Sequence, residues 1–60
     1  MNVGRAMEIM NTGDIIDVSY QGESVIIQTV NEKEKTARIY TKANPDKEIE
    51  VEVYQLIEEQ

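Results

Sequence analysis

Between Ile16 and Tyr40 apolar and polar residues alternate, and the alternation breaks at Gly22 and again at the charged stretch Glu32–Lys35. A period of two interrupted by turn residues predicts strands joined by hairpins. The strands fall at about 15–20, 24–30, 36–42 and 48–54. Ahead of them Val3, Ala6, Met7 and Met10 recur at helical spacing. This predicts a helix over about 2–11, with Asn2 as N-cap and Gly13 as the stop. Gly4 weakens it by ~1 kcal/mol relative to alanine, and a helix this short does not persist alone in water. Its apolar stripe must therefore cover a sheet face or a second copy of itself. The expected fold class is α+β: a short N-terminal helix followed by a four-stranded antiparallel β-meander, with closure into a small SH3-like barrel as one solution. One domain, residues 1–60, accounts for the whole pattern.

The hairpins carry more detail. A tight turn at Gln21-Gly22 sets Val18 opposite Val25 and Ile16 opposite Ile27. Ile26 and Val30 have the opposite parity to Val25 and Ile27, so the second strand is either covered on both faces or bulged. A loop at Asn44-Pro45-Asp46 places Ala37, Ile39 and Thr41 opposite Val53, Val51 and Ile49 on the inside. Outside, the same register sets Arg38, Tyr40 and Lys42 against Glu52, Glu50 and Glu48. Both faces agree with one alignment. Leu56 and Ile57 are expected to tuck under the sheet, and Glu58-Glu59-Gln60 to fray.

Composition narrows the function. Sixty residues without a cysteine leave a thin core that no disulfide or thiolate site reinforces. The longest aliphatic run, Val25-Ile26-Ile27, is far too short to span a bilayer. Arg5 and Glu8 stand where a secretory leader would need apolar residues. A soluble, intracellular protein with no membrane role is expected. The net charge is −6, a field that repels phosphate backbones and anionic lipid; solubility is a sufficient reason for it.

The absence of histidine and cysteine removes nucleophile–imidazole triads, cysteine hydrolases and ordinary zinc sites. Ser19 and Ser24 have no suitable base. Glu48, Glu50 and Glu52 alternate along a strand ~6.6 Å apart, too far for all three to ligate one cation. The glycines at 4, 13 and 22 are too scattered to cradle a phosphate. No catalytic, cofactor-binding or metal-binding residue is expected, nor a small-molecule ligand. One cluster invites a sharper reading. Lys33, Lys35, Arg38, Lys42 and Lys47 crowd one window, and Tyr40 lies between Arg38 and Lys42. Such basic–aromatic–basic stripes bind single-stranded nucleic acid, which makes Arg38, Tyr40 and Lys42 the candidate partner-binding residues. Against nucleic acid stand the facing glutamates and the single aromatic ring.

These residues, in this order, resemble the H-type small acid-soluble spore protein family. The likeness runs through Arg5-Ala6, Glu8-Ile9, Val18-Ser19-Tyr20-Gln21-Gly22, Val25-Ile26-Ile27-Gln28, Val30, Thr36-Ala37-Arg38-Ile39-Tyr40, Asn44-Pro45, Val51, Val53 and Leu56. It departs at Glu52, where members often carry proline, and at Gly4. The resemblance implies a protein made in the forespore during sporulation and kept in the spore core; with no catalytic residues to place, a non-enzymatic structural or storage role is the expected function. It carries over no site residue. The helical DNA-coating spore proteins differ from this alternating, acidic chain. Acid solubility follows from charge: protonating the twelve carboxylates leaves six cationic side chains that repel one another. The thin core and free sheet edges further predict a homodimer. The competing function class is a small β-domain that binds a partner through Arg38, Tyr40 and Lys42.

Overall fold

In the computed structural model, which describes residues 1–59, the side chain of Asn2 accepts a 2.7 Å hydrogen bond from the Arg5 amide and opens helix α1, Val3–Asn11. The cap supplies a partner for one of the amides that a helix N-terminus leaves unbonded. Thr12, in extended conformation, closes the helix with its amide on the Glu8 carbonyl at 2.9 Å. The stop thus falls one residue before the expected Gly13, which does not adopt a positive φ. The inward stripe of α1 is Val3, Ala6, Ile9 and Met10. Ala6 is fully buried and the other three pack against the core.

Five strands follow: β1 Val18–Tyr20, β2 Glu23–Asn31, β3 Thr36–Thr41, β4 Glu48–Glu52 and β5 Ile57–Glu58, with a 3₁₀ turn at Val53–Gln55 before β5. They form one antiparallel sheet in the order β4-β3-β2-β1-β5. This agrees with the α+β expectation and with an SH3-like strand order, with one strand more than the four predicted. No helix among the described residues is long and apolar enough to cross a membrane.

Gln21 and Gly22 both take positive φ, 51° and 82°, as a two-residue hairpin with the twist of its flanking strands requires. Val18 pairs with Val25 as predicted. Among the described residues Ile16 has no strand partner, because β1 begins at Val18 rather than 15; the preceding residues carry the chain from helix to sheet. In β2 the register against β3 shifts between Ile27 and Thr29. Gln28 is the extra residue of a bulge, which returns Val30 to the inner side opposite Ala37. Ile26 stays outside, opposite Tyr40. The bulge explains the parity of Val30.

The β3–β4 register requires a correction of two residues. Ala37 lies opposite Val51, Ile39 opposite Ile49, Arg38 opposite Glu50 and Tyr40 opposite Glu48. The connection runs from Lys42 to Lys47 and contains two successive turns. The Asn44 amide bonds to Thr41 O at 3.2 Å, and the Lys47 amide to Asn44 O at 3.1 Å. Pro45 occupies a turn position its fixed φ favours. The longer connection starts β4 at Glu48. Val53 then leaves the ladder and donates its amide to Lys35 O at 3.0 Å. An even shift preserves sidedness, so Val51 and Val53 remain buried and the glutamates remain outside.

The expectations for the C-terminal segment divide. Leu56 is buried, whereas Ile57 is exposed. Glu58 does not fray: it pairs with Val18 in β5, and the Glu59 amide bonds to Asp17 O at 2.8 Å. Gln60 lies outside the described residues.

Candidate functional site

The alternation of β3 sends Ala37 and Ile39 into the core and Arg38 and Tyr40 outward. Arg38 Nη1 lies 3.9 Å from Glu48 Oε1. The other oxygen of Glu48 accepts a hydrogen bond from Gln28 at 2.9 Å, and Glu50 accepts one from the Thr36 hydroxyl at 2.9 Å. Lys42 stands one residue beyond β3, with Nζ 4.0 Å from Asp17 Oδ1. It lines a cleft beneath the end of α1, whereas Tyr40 lines a separate cleft beside Tyr20 and Ile49. The candidate residues therefore split. Arg38 is exposed and Tyr40 half-buried on the outer face, and Lys42 belongs to another surface.

Folding also disperses the remaining bases. Lys33 and Lys35 sit in the turn before β3, while Lys42 and Lys47 sit in the connection after it. The six residues of β3 hold the two groups apart by roughly 20 Å. A window crowded in sequence is not a patch in space. The face that Arg38 and Tyr40 occupy instead receives Glu48, Glu50 and Glu52 from β4, all exposed. One guanidinium among three carboxylates makes a poor track for a phosphate backbone.

A cluster of charge-assisted hydrogen bonds lies elsewhere and was not anticipated. Arg5 of α1 donates from Nε and Nη2 to the two carboxylate oxygens of Glu58 at 2.8 and 2.6 Å, and from Nη1 to Glu8 at 2.6 Å. On the opposite side of the sheet, the buried Ser19 hydroxyl donates to Glu59 at 2.7 Å. Carboxylates thus clamp the C-terminal segment from both faces. The sequence carried a faint signal for this, because Arg5 is the one base outside the 33–47 window. The Arg5 guanidinium holds the Glu58 carboxyl below its ordinary range, and the two carboxylates push Arg5 higher still. At the start of the 3₁₀ turn, Glu52 raises the Tyr54 phenol.

The Glu58 clamp has a definite pH sign. Its pKa is lower folded than unfolded, so acid protonates the unfolded chain first. The stabilisation is complete above the ordinary glutamate value of ~4.3 and is lost as pH falls through the depressed folded value. Thermal melts of Glu58→Gln should therefore show a shallower loss of stability between neutral and acid pH than the wild type. Identical acid limbs in the two proteins would reject the clamp.

None of this geometry assembles a reacting pair. Ser19 bonds a carboxylate rather than a base–orienter couple, and among the described residues no three potential metal ligands converge.

Comparison with known proteins is consistent along the whole chain. The model of the small acid-soluble spore protein H family matches residues 1–58. Small, acid-soluble spore protein H 2 of Bacillus cytotoxicus is 50% identical over 58 residues, covering 97% of this chain and 98% of that one. Small, acid-soluble spore protein H of Bacillus subtilis strain 168 is 44% identical over 59 residues, 98% and 100% of the two chains. The protein of the same name from Alkaliphilus metalliredigens is 40% identical over 58 residues, 97% and 98%. No solved structure matches. With both its length and its order of residues accounted for, this chain belongs to the small acid-soluble spore protein H family.

Proposed function

We propose that this chain is a non-enzymatic protein of the spore core, made in the forespore during sporulation, where it serves as a structural or storage component. Family membership supports the spore context. The observation that carries the rest is the outer face of β3 and β4, where Arg38 lies against Glu48 and the other bases sit at opposite ends of the hairpin. That face does not suit nucleic acid, and the absence of histidine and cysteine supports a role without catalysis. A net charge of −6 also favours solubility at neutral pH.

Fluorescence anisotropy with a labelled single-stranded oligonucleotide at low salt tests this reading. No saturable binding is expected. Salt-sensitive binding that disappears when Arg38, Tyr40 and Lys42 are changed to alanine would favour the partner-binding alternative instead. A fluorescent fusion followed through sporulation should light the forespore alone; signal in the mother cell would contradict the assigned location.

A further inference from the structure

We infer that the cleft beneath the C-terminal end of α1 is the surface on which two copies of this chain meet, with Ile15 of each copy entering the cleft of the other. The inference is independent of the spore-core role. Ile15 is 94% exposed, the most exposed large apolar side chain among the described residues. It borders a cleft of about 250 Å³ whose lining also includes Met10, Ile16, Val25 and Ile27 together with Asp14 and Lys42. That volume is below the ~300–1,000 Å³ of small-molecule sites, and a single aliphatic side chain suits it better. A two-fold interface uses the same patch on both subunits, so the patch must hold both a projection and a recess. This one does.

Local charge makes this cleft the place where a second copy is least opposed, since its acid and its base can pair across a two-fold axis. Two molecules of charge −6 repel wherever acidic surfaces approach. The groove between β4 and the 3₁₀ turn is lined by Glu34, Glu50 and Glu52 with no base. The Ile15 cleft has one acid and one base. Within the chain Lys42 reaches Asp17 only at 4.0 Å, which leaves its ammonium able to meet Asp14 of the second copy. The cleft beside Tyr20 is also balanced, but its most exposed aliphatic residue, Ile49, is half exposed and does not project as Ile15 does. The sheet edges are weaker choices. Pairing β4 with its copy would bring glutamates together, and β5 has two residues.

Sedimentation velocity of the whole chain across the micromolar range tests the proposal. The wild type should form a dimer that tightens as salt is raised, because screening weakens like-charge repulsion. Ile15→Asp should weaken dimerisation at least ~tenfold with an unchanged far-UV spectrum, since Ile15 lies outside the core. Ile57→Asp, on a different exposed surface, should leave association as it is. A wild type that remains monomeric at every concentration, or a dimer that Ile15→Asp leaves intact, would overturn the proposal.

Discussion

Ile39→Ala is expected to remove most of the stability of this fold. Ile39 is 1% exposed at the centre of β3, with Ile27 on one side and Ile49 on the other. Truncating such a side chain costs ~2–5 kcal/mol, the lost transfer energy plus the cavity left behind. A chain of 60 residues has ~3–9 kcal/mol of total stability at the usual yield per residue. The variant should therefore be largely unfolded, or melt tens of degrees early. Urea titration reads this directly as a lower midpoint with little change in slope. A loss under ~1 kcal/mol would mean that β3 does not run through the core as described.

The second large effect separates two adjacent residues. Leu56 is 1% exposed and Ile57 57%, although both are aliphatic and both look buried by composition. Leu56→Ala should cost ~2–5 kcal/mol, because it loosens the 3₁₀ turn from the core and with it the entry into β5. Ile57→Ala should stay within ~0.5 kcal/mol of the wild type. Equal losses at the two positions would show that the C-terminal segment lies differently on β1.

What was legible in the sequence is what a period of two or of 3.6 can encode. The helix, its Asn2 cap, the Gln21-Gly22 turn and the sidedness of β3 and β4 all follow from patterns a few residues long. The β2 bulge was legible as a conflict, since Val30 could not share a face with Ile27 unless one residue was skipped. Register across the last hairpin was not legible. A shift of two preserves every inside–outside assignment, so both alignments satisfied the same pattern. The connection decided between them, through backbone hydrogen bonds at Thr41 and Asn44 that hydrophobicity does not report.

β5 escaped for a related reason. Two residues carry no periodicity, and Glu58 reads as solvated tail until Arg5 comes within 2.6 Å of it across the fold. The candidate site was half legible. Arg38 and Tyr40 do share the outer face, and glutamates do confront them. Lys42 was expected opposite Glu48 on that same face and is not there, because β3 ends at Thr41 and Lys42 turns toward Asp17, in a segment that was expected to be strand. It lines one cleft with Ile15 and Met10, and Tyr40 lines another.

The acidic outer face, the dispersal of the bases and the clamp on the C-terminal segment all depend on how β4 lies against β3 and β5 against β1. Cross-strand nuclear Overhauser effects on labelled protein measure both alignments at once. The account predicts contacts between Ala37 and Val51 and between Ser19 and Ile57. Contacts between Ala37 and Val53, with none joining Ser19 to Ile57, would contradict it.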